Sequence, residues 1–330
     1  MKLVTYLAPH NHQPRPGALF SFSPDADEVV VDLNAAYAWA HRDAHHGSLL
    51  ELIQAGPEQW DVARKVLAQV AQTGNPLTLE ARGHQPIAYL RDAIQLISPI
   101  QPVSLRDAYA FEQHVRKANE NRGRLVPEEW YRFPIFYYTN HNSVIGTDAP
   151  LVCPRYTTAL DYELEIAAVI GLGGKNLSAT AAADHIFGFT VFNDWSARDI
   201  QRAEMKAGLG PAKGKDFASS LGPCIVTLDE LADRAAGRPG VYNLSMTAAI
   251  NGEQRSAGNF KDIFWSFGEI LARVSEEVQI HPGEVIGSGT VGTGCLLELT
   301  KAEGPWLQAG DVVELEIERI GILRNQIIQP

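Results

Sequence analysis

Sulfur is scarce in this chain. Three cysteines, Cys153, Cys224 and Cys295, are spread over 330 residues. They are odd in number, far apart and set among apolar or Gly/Pro neighbours, which excludes a disulfide framework or a Cys-rich zinc site and points to reduced, buried thiols. Basic clusters are missing as well. Against 39 Asp and Glu stand 28 Lys and Arg, for a formal net charge of −11, and no basic run offsets that average. A nucleic-acid or anionic-membrane surface is thereby excluded. No stretch reaches the roughly 18 apolar residues of a membrane-spanning helix. The opening MKLVTYLAPHNHQP lacks the basic start and long apolar core of a signal peptide, so a cytoplasmic protein is expected. Repeats and low-complexity tracts are absent. What is there, 45% hydrophobic and 20% charged residues, suits a globular protein with one large domain, or a small one followed by a larger one.

Texture changes along the chain. Residues 1–7, MKLVTYL, and residues 28–33 predict short strands, and residues 57–72 and 85–97 carry apolar residues at helical spacing. This makes residues 1–103 a small α+β region. Pro99 and Pro102 mark its boundary, since each proline removes a donor and restricts the residue before it. Residues 106–122 predict a helix. From Pro134 onward strands dominate, expected at 133–138, 163–170, 189–193, 224–228, 242–250, 285–290, 296–300 and 311–320, with one amphipathic helix at 260–278. Asn251-Gly252 is a hairpin signal. Without regular β-α alternation, the expectation is α+β, mainly β, rather than a doubly wound sheet.

Three acids stand out. Polar and apolar residues alternate from Asp161 to Ile166 in LDYELEIAAVIG, so Glu163 and Glu165 point to one face of a strand. Asp194 follows the apolar run 189–192. Paired carboxylates repel unless a cation lies between them, and hard oxygen donors without cysteine suggest Mg²⁺, Mn²⁺ or Ca²⁺ rather than zinc. Spacing alone also fits a solvated strand face followed by a helix N-cap. Two glycine patterns imitate nucleotide sites. Gly287-Ser288-Gly289-Thr290-Val291-Gly292 has the G-x-G-x-x-G form but runs into strand-like sequence, and Gly210–Lys215 fails the Walker pattern at its first glycine and at Asp216. His41 and His45 have i, i+4 spacing on an expected helix with His46 adjacent, but lack a third ligand, so an exposed polar face is the better account. His10 and His12 carry less, and His185 reads as structural.

Four blocks, LDYELEIAAVIG, DHIFGFTVFNDWSARDIQ, GPAKGKDFASSLGPCIV and GEVIGSGTVGTGCLLEL, resemble, in order and spacing, the signatures of the fumarylacetoacetate hydrolase family. The resemblance covers roughly residue 106 to the end. It implies a mixed β-roll catalytic domain over residues 104–330, usually dimeric, with a divalent cation, Mg²⁺ foremost and Mn²⁺ or Ca²⁺ as alternatives, held by Glu163, Glu165 and Asp194. In RDAYAFEQH, Asp107, Tyr109 and His114 fall at the family's spacings for a fourth carboxylate, a substrate tyrosine and a catalytic histidine; seven residues apart on the expected helix, Asp107 and His114 would share a face. The resemblance further implies that Glu298 orients His114, that Lys215 and Gln201 hold an oxyanion, and that Tyr137, Arg198, Thr290 and either Arg122 or Arg124 contact substrate. The family covers several chemistries. With both His114 and Glu298 present, it implies hydrolysis of a C–C bond in a fumarylacetoacetate- or acylpyruvate-like diketo acid, in aromatic-compound breakdown. The alternatives are a 2-oxo acid decarboxylase of the oxaloacetate type or a 2-hydroxydienoate isomerase, which need no activated water, and a non-catalytic binder, which needs no acid/base set.

Overall fold

The computed structural model describes residues 1–9, 12–21, 27–121 and 123–330; His10 and Arg122 lie outside the described residues. In the first region are the strands β1 (Lys2–Leu7), β2 (Pro14–Phe20), β3 (Val29–Asp32) and β4 (Ala88–Leu90) and the helices α1 (Leu33–Trp39), α2 (Leu49–Gln54) and α3 (Pro57–Gln72). After it come β5 (Ser104–Ala108), α4 (Glu112–Glu120), β6 (Phe136–Thr139), β7 (Leu164–Ile170), α5 (Ala179–Ala183), β8 (Ile186–Asn193), α6 (Arg198–Ala207) and β9 (Ser219–Thr227). The hairpin β10 (Ser245–Ile250) and β11 (Glu253–Asn259), α7 (Phe267–Val274), β12 (Glu284–Gly287), α8 (Leu296–Leu299), β13 (Val312–Ile317) and β14 (Gly321–Ile328) complete it.

One large mixed sheet dominates, in the order β4-β3-β2-β1-β9-β8-β7-β12-β5-β6, and a second sheet holds β14-β13-β10-β11. The architecture is α+β and sheet-dominated, as the strand-rich sequence predicts. β1 pairs antiparallel with β9, so strands from both sequence regions share the large sheet. β7 and β8 are buried along their whole length. Alternate side chains of β7 therefore serve two cores: Ile166, Ala168 and Ile170 pack with Phe189 and Phe267, while Ala167 and Val169 pack with Phe192, Ile225 and Val285. A strand covered on both sides reads as a continuous apolar run, and residues 166–170 form such a run directly after Glu165.

Helix Pro57–Gln72 and strand Lys2–Leu7 lie where expected, and the Asn251-Gly252 turn has positive φ at both residues, 53° and 78°. Several expectations fail for physical reasons. Residues 85–97 are not helical: β4 pairs with β3 and Gln95–Ile97 with β1, so tertiary pairing overrides the periodicity. Residues 106–122 divide, because Ser104–Ala108 joins β12 as a parallel strand and helix begins only at Glu112. Residues 296–300 form the short helix α8 rather than a strand, since the buried carboxylate of Asp161 accepts the first-turn N–H groups of Leu296 and Leu297 at 2.8 and 3.0 Å. The expected helix 260–278 is confined to Phe267–Val274 by a Ser266/Glu269 capping box. His41 and His45 share no helix, because α1 ends at Trp39.

Candidate active site

Sheet register brings the acids together. Asp107 of β5 lies opposite Gly287 of β12, and Gly287 lies opposite Ala167 of β7. On the other side of β7, Glu165 lies opposite Phe192, two residues before Asp194. Gly287 makes the convergence possible: a Cβ there would lie 2.4 Å from Asp107 Oδ1 and 2.6 Å from the Phe192 ring. The carboxylates of Asp107, Glu165 and Asp194 each offer an oxygen within 4.8 Å of the others, and all are buried. The loop after β12 turns back at Gly289, with φ 77°. Its N–H donates to both Asp107 Oδ1 and Glu165 Oε2 at 3.0 Å, and the Thr290 hydroxyl donates to Glu165 Oε1 at 3.3 Å. The G-x-G-x-x-G segment therefore cradles the protein's own carboxylates.

Glu163 belongs to the same floor but faces cations. The Lys215 ammonium donates to both Glu163 and Asp194, and Arg198 pairs with Glu163 and with Asp161, each at 2.8 Å. Arg198 also donates to Gln201 Oε1 at 3.0 Å, which leaves the amide NH₂ of Gln201 for a ligand. Tyr137 donates its hydroxyl to Asp194. Burial and the adjacent Asp194 push the Asp107 carboxyl up to about 7, and burial with Asp107 pushes Glu165 well above the usual carboxylate range. Asp194 is raised by burial despite Lys215. Glu163 goes the other way: burial opposes its charge, but Arg198 and Lys215 outweigh it and hold the carboxyl well below its usual range. Burial works against the Lys215 ammonium too, yet Asp194 and Glu163 keep it above its usual range.

Five buried carboxylates thus share two buried cations, an arrangement that leaves negative charge unbalanced in a low-dielectric site. Asp194 Oδ1 is buried with no hydrogen-bond partner. An orphaned carboxylate oxygen beside two more hard oxygen donors fits a divalent cation of the Mg²⁺, Mn²⁺ or Ca²⁺ kind.

Above the acids opens a cavity of about 280 Å³ lined by His114, Tyr109, Tyr137, Glu163, Lys215 and Thr290, among others. His114 is held on α4, and its Nδ1 is hydrogen-bonded to the buried carboxylate of Glu298 on α8. Glu298 Oε2 accepts the Thr293 N–H at 3.0 Å, which fixes the carboxylate. Tyr109 packs edge-on against the imidazole at 5.4 Å and 84°. Because the carboxylate can only accept, His114 carries its proton on Nδ1 and presents Nε2 as an acceptor. The shared helical face expected for Asp107 and His114 is not the cause of their proximity. Asp107 ends a strand and His114 begins a helix, and the turn between them brings both to one cavity.

Of the residues the sequence singles out, Asp107, Tyr109, His114, Tyr137, Glu163, Arg198, Gln201, Lys215 and Thr290 line this cavity. Glu165 and Asp194 lie in its buried floor and Glu298 behind His114. Arg124 does not line it and borders a neighbouring cavity. Sequence reasoning misses Asp161, although it anchors Arg198 and the start of α8. Its signal is present, since it stands in phase with Glu163 and Glu165.

A family model described as fumarylacetoacetate (FAA) hydrolase C-terminal matches residues 104–328. The human protein named oxaloacetate tautomerase FAHD2A, mitochondrial, is 34% identical over 329 residues, covering 99% of this chain and 92% of that one. Fumarylacetoacetase of Arabidopsis thaliana is 28% identical over 302 residues, 77% of this chain and 72% of that one. The solved fumarylacetoacetate hydrolase of Exiguobacterium antarcticum aligns over the whole of both chains, with TM-score 0.70 and 25% identity. A 5-carboxymethyl-2-hydroxymuconate delta-isomerase from Mycobacterium smegmatis shares the fold, with TM-score 0.66 and 23% identity.

Proposed function

The chain belongs to the fumarylacetoacetate hydrolase family, and from that premise we propose that it hydrolyses a carbon–carbon bond in an acylpyruvate- or fumarylacetoacetate-like diketo acid, with a divalent cation, Mg²⁺ foremost. The observation that carries this reading is the buried His114–Glu298 pair facing the cavity. A base held by a carboxylate is what water activation needs; a tautomerase would use such a base for proton transfer alone, without adding water.

A divalent cation would be held by Asp107, Glu163, Glu165 and Asp194 and would supply Lewis-acid stabilisation of enolate charge. His114 Nε2 takes a proton from water as the water oxygen bonds to the substrate's acyl carbonyl carbon. The resulting oxyanion is held by the Lys215 ammonium and the Gln201 amide, donors of a kind worth about 3 kcal/mol each. As the carbonyl re-forms, the carbon–carbon bond breaks and its electron pair passes to the leaving carbon as an enolate. His114 returns its proton to that carbon, so water is divided between the two products and the base is restored. Glu298 stabilises the intervening imidazolium and keeps its tautomer fixed.

A second reading, enol–keto tautomerisation of a 2-oxo acid, is favoured by the identity across 99% of the chain with a protein named oxaloacetate tautomerase. A panel of acylpyruvates and oxaloacetate, assayed with Mg²⁺ and with chelator, separates the two. Hydrolysis predicts that loss of enol absorbance is matched mole for mole by release of the two acids. Loss of absorbance without acid release, or conversion of oxaloacetate far faster than any diketo acid and without release of pyruvate and carbon dioxide, assigns tautomerisation.

Raised carboxyls give a pH-dependent stability. Between the ordinary carboxylate range near ~4 and about 7, folded Asp107 retains a proton that the unfolded chain has released. The folded state then binds more protons, so stability in chelator falls as pH rises through that window. A cation binds the ionised form and removes this penalty. The rise in melting temperature on adding Mg²⁺ is therefore expected to be small near pH ~5 and larger near pH ~8; equal rises, or identical melts with and without EDTA, contradict a native cation site here.

A further inference from the structure

Beside the catalytic cavity lies a second one of about 650 Å³, bordered by Arg124, Arg198, Arg202, Lys206 and Lys301 and, among the described residues, by no carboxylate. The two cavities share Ala118, Arg198, Gln201, Met205 and Leu297 as walls, so a ligand in the second lies across the way into the first. Arg198, Arg202 and Lys206 are four residues apart along α6, which places them on one face of the helix. They form a ladder from the buried Arg198 at the catalytic floor to the exposed Lys206. Like charges at that spacing work against the helix itself. Among the described residues, Arg124, Arg202, Lys206 and Lys301 make no ion pair, while Arg116, Lys117, Arg273 and Arg319 on the same surface-exposed footing do. In a chain of net charge −11, this concave cluster is a local reversal of sign, and low-dielectric walls focus such a field.

We propose that this vestibule is a binding site for small multivalent anions, oligocarboxylates or phosphates, whose occupancy competes with substrate entry. Four unpaired cations exceed what a single carboxylate would neutralise, and the cavity's size accommodates a ligand larger than a single ion. Three of its unpaired cations, Arg202, Lys206 and Lys301, lie outside the residues assigned to substrate and catalysis, so they can be altered independently of the reaction next door.

Titration calorimetry on the Mg²⁺-loaded protein at constant ionic strength tests the proposal, with tricarballylate and inorganic phosphate as separate probes. Tricarballylate has three carboxylates and no oxo or hydroxyl group with which to strip the metal. Saturable one-site binding of at least one probe is expected, and their ranking assigns the carboxylate or phosphate source. Arg202→Gln with Lys206→Gln should weaken binding about tenfold, with Lys301→Gln weakening it further. These exposed substitutions should not lower the melting temperature and should leave the uninhibited turnover unchanged. The same anion should raise the apparent KM of the wild type and not that of the double variant. No saturable heat from either probe, or equal affinity in wild type and double variant, overturns the proposal.

Discussion

Replacing His114 with Asn is expected to lower kcat for diketo-acid hydrolysis by about 10² to 10⁴-fold, the usual scale of general-base catalysis. Metal binding should survive, because His114 is hydrogen-bonded to Glu298 and not to the acid floor. Glu298→Gln should fall in a similar range, since the tautomer and the imidazolium both depend on its negative charge. The double variant should be far less impaired than the product of the single effects, as groups acting as one unit are non-additive. In the wild type, protonation of Nε2 should impose an acidic limb on the rate profile. Near-normal acylpyruvate hydrolysis by His114→Asn would remove water activation from this residue.

The second large effect is expected at Glu165, and it has two sides. Glu165→Gln keeps volume but removes a buried charge from a floor shared with Asp107 and Asp194. Divalent-cation affinity should fall by more than the roughly 10- to 100-fold seen when mere supporting partners of a metal ligand are lost. In chelator, the same variant should melt higher than wild type, because burial and the neighbouring Asp107, which push the Glu165 carboxyl up, disfavour its charged form, and an amide carries no charge. Calorimetry with Mg²⁺ or Mn²⁺ and a melt in EDTA read the two sides separately. Unchanged cation affinity excludes Glu165 from the site.

Legibility in the sequence depends on the physics of each element. The Asp161–Ile166 alternation is readable because a half-polar strand has a period of two, and α3 because its amphipathic period extends over sixteen residues. β5 is not readable. It carries Arg106 and Asp107 into the interior, and nothing local shows that Glu284 neutralises one while the acid floor takes up the other. α8 is unreadable for a similar reason: four residues, LLEL, hold no period, and the helix starts where Asp161, 135 residues away, accepts its N–H groups. Asp194 and Glu165 can be named from pattern and resemblance, but the tautomer of His114 and the burial of Lys215 require coordinates.

Gly289 meets Asp107 across 182 residues, and His114 meets Glu298 across 184. During synthesis, Asp107, Glu163, Glu165 and Asp194 emerge well before β12 and α8. Until then Asp107 stays apart from Glu165 and Asp194, which the β7–β8 pairing alone brings near each other. The unfavourable crowding arises in the last steps, when β12 inserts between β5 and β7 and closes loops of high contact order. Residues 163–215 by themselves carry Glu163, Glu165, Asp194 and Lys215, but Asp107 and the His114–Glu298 pair join them only once β12 and α8 are in place. A cation present as that strand closes would favour its insertion, so the proposed ion would bear on the order of folding as well as on the reaction.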